Sequence, residues 1–78
     1  MTKEQKKSLE ASIEWIMGRI HVGESDEFVT AEAVRRLELA EQNGKIYTAK
    51  ERDEIIQMFL VAHRKNQGTY SYVMGGLR

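Results

Sequence analysis

Cysteine and proline are both absent from this sequence of 78 residues. Without cysteine no disulfide can staple the fold, and no thiolate can act as a nucleophile or hold zinc or iron. The same absence is typical of a reducing compartment, so we expect a cytoplasmic protein. Without proline nothing compels a helix to break from within, which leaves six glycines to mark the ends of elements.

Net charge and long apolar runs are missing as well. Twelve Lys and Arg residues balance twelve Asp and Glu residues, which removes the usual electrostatic argument for a dedicated binder of nucleic acid or anionic membranes. No apolar run approaches the roughly 20 residues that span a bilayer, so we expect no membrane partner. A chain of this length has room for one core, and a single helical domain over residues 1–78 is predicted.

The first predicted helix begins with a capping box, since Thr2 and Gln5 have the required spacing. Apolar residues then recur every three or four positions, at Leu9, Ile13, Ile16 and Ile20. This period predicts a helix over about 3–20. Gly23 is expected to follow it as a left-handed stop.

The second predicted helix covers about 26–43. Ser25 supplies its N-cap, and the acidic residues that follow favour the positive end of the helix dipole. A later start at Thr30 fits almost equally well. The pair Asn43 and Gly44 has the composition with which helices commonly end.

Thr48 and Glu51 carry the clearest capping-box signal in the chain, because each side chain can accept from the backbone N–H of the other. A third helix is predicted over about 49–66, with Gly68 as its stop. A short fourth helix is expected over 70–74, although Tyr-Ser-Tyr-Val also alternates like a strand. The predicted fold class is all-α, a compact bundle of three main helices with this short fourth helix.

Apolar residues exceed what one stripe on each helix requires. Seven of the eight residues from Ile55 to Ala62 are apolar, and only Gln57 interrupts them. Two neighbouring helices are not expected to cover such a helix on all sides. We therefore expect a homo-oligomer or a surface for another protein, with a compact monomer closed by its own tail as the alternative. The predicted protein interface consists of Trp15, Phe28, Leu39, Met58, Leu60 and Val61.

Residues for catalysis or metal binding do not occur at the required spacings. His21 and His63 are far apart in the sequence and not one helical turn apart, so no metal site is predicted. No Gly-x-Ser-x-Gly elbow and no glycine loop that could cradle phosphate occurs. Glu51, Asp53 and Glu54 crowd a helix start, where solvated acids are common. We expect neither an enzyme nor a cofactor.

Nucleic acid is the alternative partner. The second helix, a short turn and the third helix have the outline of a helix-turn-helix motif, but the first turn of its recognition helix is acidic. The carboxyl end combines positive charge with aromatic rings that can stack on bases. These possible nucleic-acid contacts are Arg64, Lys65, Tyr70, Tyr72 and Arg78. The segment His-Arg-Lys-Asn-Gln at 63–67, continuing through Tyr70 to Val73 and Met74, has the look of a motif but indicates no function.

The sequence is interpreted as a small non-enzymatic module for protein–protein interaction, acting as an adaptor, a subunit or an inhibitor. Its size and its lack of cysteine and of an enzymatic signature suit an accessory protein of a bacterium or bacteriophage that modulates a host protein. The alternative function is a nucleic-acid-binding regulator that uses the third helix or the basic aromatic tail.

Overall fold

Three α-helices make up the computed structural model: α1 (Lys3–Met17), α2 (Asp26–Gln42) and α3 (Ala49–Gly76). The structure describes residues 1–76, and describes side chains for residues 1–69. No strand occurs within these 76 residues, so the all-α fold class is confirmed for them. None of their helices combines enough length with enough hydropathy to cross a membrane.

Each helix begins with a side-chain cap, as the sequence predicts. The Thr2 hydroxyl accepts from the Gln5 backbone N–H at 3.2 Å, and the Gln5 side chain accepts from the Thr2 N–H at 3.0 Å. The Ser25 hydroxyl accepts from the backbone N–H three residues later. Thr48 and Glu51 exchange the same pair of bonds at the start of α3. These bonds satisfy N–H groups that have no partner inside the helix, which fixes where each helix starts.

The long helix α3 lies between the other two and contacts both. It runs parallel to α1, because two contacts join the helices at matching ends. The Met1 amine lies 3.5 Å from the Glu51 carboxylate, and the Lys65 ammonium lies 3.9 Å from that of Glu14.

The helix α2 runs antiparallel to α3. Its last turn meets the first turn of α3 in the ion pair between Glu41 and Arg52, and its first residue meets Arg64 in the pair between Asp26 and Arg64. Over the described residues, α1 and α2 make no close backbone contact with each other. On this side of the bundle the backbones of α1 and α2 are therefore not in close contact.

A single apolar cluster forms the core, and α3 contributes to it on two sides because it has a neighbour on each. The buried members are Ile13, Met17, Val29, Ala33, Leu37, Ile55, Phe59 and Leu60. Two helices cover the apolar residues of 55–62 in part. Ile55, Phe59 and Leu60 are buried, and Ile56, Met58 and Ala62 are partly buried. α1 and α2 lie on different sides of α3, so each covers a separate apolar stripe. Among these residues Val61 remains exposed, at 61%.

The first helix is shorter than predicted. It ends at Met17. The Gly18 N–H still donates four residues back to Glu14, and the N–H groups of Arg19 and Ile20 donate to carbonyls three residues back. Such tighter bonds are common at the ends of helices. Gly23 is not left-handed, whereas Gly44 is, with φ 91°. Gly23 instead donates its N–H to the His21 ring at 2.9 Å, and a Cβ at this position would lie only 2.9 Å from the ring.

The third helix is longer than predicted and passes through Gly68 to Gly76. The separate fourth helix over 70–74 is therefore wrong, because those residues continue α3. A glycine inside a helix costs only about 1 kcal/mol relative to alanine, which the rest of a long helix can offset. Thr69, which directly precedes that segment, donates its hydroxyl to the Lys65 carbonyl within α3.

Candidate protein-binding surface

The segment 63–67 of α3 anchors the loop between α1 and α2. His63 is 1% exposed, and its ring Nε2 lies 2.7 Å from the Glu24 carbonyl oxygen. Because a carbonyl only accepts, this nitrogen carries the proton and donates it. The Gln67 amide nitrogen donates to the Val22 carbonyl at 2.8 Å.

The charged members of the same segment reach the neighbouring helices. Arg64 pairs with Asp26 at 3.3 Å on α2, and Lys65 pairs with Glu14 at 3.9 Å on α1. Asn66 approaches the Met17 carbonyl at 3.5 Å. The part of the candidate motif over 63–67 thus consists of residues that contact other elements, and its remainder, from Tyr70, lies outside the described side chains.

The six predicted interface residues do not form one surface. The prediction that Leu60 belongs to the interface is corrected, because its side chain is buried in the core at 9% exposure. Met58 and Val61 line a groove between α1 and α3. Trp15 lies on a different side of α1, facing towards α2.

Phe28 and Leu39 are both partly exposed on α2. Eleven residues separate them, so they share a face of the helix but lie about 16 Å apart along its axis. Arg35 lies between them on that face and pairs with Glu32 at 3.1 Å. These two apolar side chains are separate exposed residues and not a patch.

The α1/α3 groove has a volume of about 650 Å³. Its apolar floor consists of Ile13, Met58, Val61 and Ala62. Its walls carry both signs of charge, with three lysines against four carboxylates. Lys65 and Glu14 pair across it. The groove therefore has a mixed rim and one strongly exposed large apolar residue, Val61.

A second surface, here called the α1/α2 trough, runs along the other side of α1. It consists of two shallow depressions that share Ser12. The first is lined by α1, Glu51 and the loop residues Lys45, Ile46 and Tyr47. The second is lined by Ala11, Ser12, Trp15, Ile16 and Arg36. On α1 the trough extends from Gln5 to Ile16, a rise of about 17 Å.

Two exposed apolar side chains mark the ends of the trough. Trp15 is 66% exposed at one end, and Ile46 is 93% exposed at the other. Between them the α1 surface is low, since it carries the small residues Ser8, Ala11 and Ser12. Unlike the stretch between Phe28 and Leu39, which holds Arg35, the trough contains the partly buried aliphatic residues Leu9 and Ile16. Sequence analysis missed Ile46, although an isoleucine in a polar turn between two helices has no core to enter.

The charged groups of the trough are mainly basic. The Arg19 guanidinium lies over the Trp15 ring, 5.0 Å from its centroid, and Arg36 and Lys45 line the two depressions. Glu51 is the carboxylate in the lining, and it is engaged by the Thr48 N–H and the Met1 amine.

The predicted nucleic-acid contacts lie elsewhere. Arg64 and Lys65 are exposed but paired with carboxylates of α2 and α1. Tyr70 and Tyr72 fall in the part of α3 whose side chains are not described, and Arg78 lies outside the described residues. At the start of α3, Asp53 is exposed and Arg52 pairs with Glu41, so that turn offers no unpaired arginine to a base edge.

Among the described residues, no group of three or more His, Asp or Glu side chains is placed to hold a metal ion. His21 accepts from Gly23 and His63 donates to the α1–α2 loop, so each ring has a structural contact. No protein-family model, curated protein or solved structure matches this chain. The groove and the trough are therefore the features from which a function can be inferred.

Proposed function

We propose that this chain is a small non-catalytic protein-binding module, and that a segment of another protein docks in the α1/α2 trough. It would act as an adaptor, a subunit or an inhibitor. The observation that carries the proposal is the exposure of Trp15 and Ile46 at the two ends of one trough, beside a core that is complete within the chain.

The trough is favoured over the α1/α3 groove because of the side chains that each leaves exposed. Burying the exposed part of a tryptophan gains about 3 kcal/mol at 25 cal/mol per Å², and tryptophan is enriched among residues that dominate binding energy. The groove exposes Val61, a smaller side chain, and its rim charges partly pair with each other through Lys65 and Glu14.

The dimensions of the trough limit the size of the docked segment. A helix that follows α1 from Gln5 to Ile16 needs about 11 residues, and an extended strand needs about five. Such a segment would contact Trp15 and Ile46 at its two ends. Helices that lie in apolar grooves are a common mode of peptide recognition.

Two variants with matched exposure test the proposal. Trp15→Ser and Val61→Ser each remove an exposed apolar side chain, one from the trough and one from the groove. Proteins that co-purify with the wild-type chain from cells are identified, purified and titrated against all three forms by calorimetry. We expect Trp15→Ser to weaken binding by about 30-fold or more and Val61→Ser to leave it within about twofold.

Thermal unfolding of both variants serves as the stability control, and both melting temperatures should stay close to that of the wild type because the side chains are exposed. Loss of binding in Val61→Ser with retention in Trp15→Ser would place docking in the α1/α3 groove and overturn the proposal. Sedimentation across a range of protein concentrations tests whether a second copy of this chain occupies the trough. Self-association that Trp15→Ser abolishes would make the partner this chain itself.

A further inference from the structure

We infer that the trough is selective for an acidic amphipathic segment, with apolar side chains on one face and Asp or Glu residues beside them. This inference rests on the proposed function, because it names the chemistry of the partner at the same site. It is carried by the pairing of charges over the described side chains.

The cations of the trough have no ion-pair partner among the described side chains, and neither do Lys3, Lys6, Lys7 and Lys50 elsewhere. Four ion pairs involve basic side chains, namely those of Arg35, Arg52, Arg64 and Lys65. By contrast, no carboxylate among residues 1–69 lies within 4.0 Å of Arg19, Arg36 or Lys45. The cations beside the trough are therefore available to an incoming anion.

The trough differs from the α1/α3 groove in its carboxylates. The trough lining contains Glu51 alone, which is already engaged, whereas Glu10, Asp53 and Glu54 lie beside Lys6 and Lys50 in the groove and form no ion pair within residues 1–69.

The carboxylate in the trough does not cancel this surplus. Glu51 accepts from the Thr48 N–H at 3.0 Å and lies 3.5 Å from the Met1 amine, so its charge is already compensated. The cations that line the two depressions, Arg36 and Lys45, therefore outweigh the carboxylates there. The α1/α3 groove carries four carboxylates against three lysines, opposite in balance to the trough.

The contact between Arg19 and Trp15 brings a site for a carboxylate next to a site for an apolar side chain. A guanidinium lying over an aromatic ring keeps the N–H groups at its edges available, because stacking uses its flat face. A carboxylate can therefore bind Arg19 while an apolar side chain next to it packs against the remaining surface of Trp15. Arg36, in the same depression, offers a second planar donor.

A polypeptide fits this surface better than a nucleic acid does. Strong phosphate binding needs a row of many cations, and the trough has three. The floor of the trough also contains Leu9 and Ile16, which are partly buried and present aliphatic surface. Aliphatic side chains of a peptide complement this floor, whereas bases would find aromatic rings to stack on only at Trp15 and Tyr47, in two different depressions.

Trp15 is the single tryptophan of the chain, so its fluorescence reports directly on the trough. The probe is a synthetic peptide of about 11 residues, with leucines at helical spacing and several Asp and Glu residues beside them. The comparison peptide has Asn and Gln in place of every acid. A single-stranded oligothymidylate of similar length tests nucleic acid. We expect a saturable change in emission with the acidic peptide, and binding at least about tenfold weaker with the amide peptide.

Charge-reversal variants locate the effect. Arg19→Glu, Arg36→Glu and Lys45→Glu should each lower the affinity for the acidic peptide by about threefold to tenfold, and raising the salt concentration should weaken wild-type binding. Lys50→Glu is the matched control, because it makes the same change of net charge on the wall of the α1/α3 groove. It should bind like the wild type.

The outcomes separate this inference from the proposed function. Equal binding of acidic and amide peptides, both abolished by Trp15→Ser, would leave the docking site in place and refute its acidic selectivity. No binding of either peptide at millimolar concentration would overturn the inference, while the calorimetry with co-purified proteins still decides the site. Binding of the oligonucleotide in preference to the acidic peptide would assign the basic surface to nucleic acid instead.

Discussion

At the scale of single residues, Glu51 is the most connected carboxylate of the chain. Its side chain accepts from the Thr48 N–H at 3.0 Å, its own N–H donates to the Thr48 hydroxyl at 3.1 Å, and the Met1 amine lies 3.5 Å away. The backbone hydrogen bond from Thr48 is the main reason that the pKa of Glu51 lies below its ordinary value of 4.5. Desolvation opposes this effect, and the Thr48 hydroxyl and the amino terminus add to it.

This lowered pKa predicts an acid-dependent contribution to stability. A carboxyl whose pKa is lower in the folded state stabilises the fold above its unfolded pKa, and the contribution is lost as pH falls through the folded pKa. The difference in unfolding free energy between wild type and Glu51→Gln should therefore be largest near neutral pH and shrink below about pH 4. Urea unfolding across pH measures it.

The control for this prediction is Glu54→Gln. Glu54 is exposed one turn further along α3, and no hydrogen bond from its side chain occurs among the described residues. Its substitution should leave the pH dependence of stability close to that of the wild type. Parallel pH curves for wild type and Glu51→Gln would contradict the assigned role of Glu51.

At the scale of elements, α3 shows that a glycine does not end a helix when packing and local hydrogen bonds favour its continuation. Gly68 lacks the left-handed φ that would end the helix, and the helical backbone continues through it. A Cβ added at Gly68 meets no atom within 4 Å. The glycine therefore makes the helix more flexible without serving a close contact there.

Gly68→Ala should stabilise the chain by about 0.5–1 kcal/mol, because alanine loses less backbone entropy on entering a helix. Denaturant unfolding measures the gain. Gly44→Ala is the contrasting variant. Open space surrounds Gly44 as well, but its φ of 91° is strained for a residue with a Cβ, so about 1 kcal/mol should be lost. Destabilisation by both substitutions would show that Gly68 has a conformational role.

At the scale of the whole molecule, the two shorter helices are held in place by α3. The α1–α2 connection lies against the segment 63–67, where buried His63 donates to Glu24 and Gln67 donates to Val22. Backbone carbonyls of a loop need partners when side chains cover them. Polar side chains near the middle of a core helix supply those partners, which explains why a histidine lies among apolar neighbours.

Removing this anchor should loosen the loop. His63→Ala deletes a buried ring and its hydrogen bond, and about 2–4 kcal/mol should be lost. Gln67→Ala keeps the core and should cost about 1 kcal/mol, so it remains informative if His63→Ala unfolds the chain. Amide hydrogen exchange should accelerate in residues 18–25 of the Gln67 variant. Gln57→Ala is the control, because it removes the same kind of side chain from an exposed position of α3, and it should change stability little.

The starts of the helices were predictable because capping is local. The hydrogen bonds to the hydroxyls of Thr2, Ser25 and Thr48 each join residues three positions apart. The residues that decide where a helix starts are therefore close neighbours in the sequence. The ends were less predictable. Whether Gly23 or Gly68 stops a helix depends on what lies beside it, and in this fold those neighbours are a histidine ring and open space.

The sequence by itself determined the helical class, the three capped starts and the presence of more apolar residues than single stripes need. Only the tertiary structure decided which of those residues reach solvent. Placing α3 between α1 and α2 buries Leu60 and leaves Trp15 and Ile46 at the ends of one trough. Helical periodicity reports the direction of a side chain about its own axis, but exposure depends on where other helices lie, and that is set by packing across distant parts of the chain.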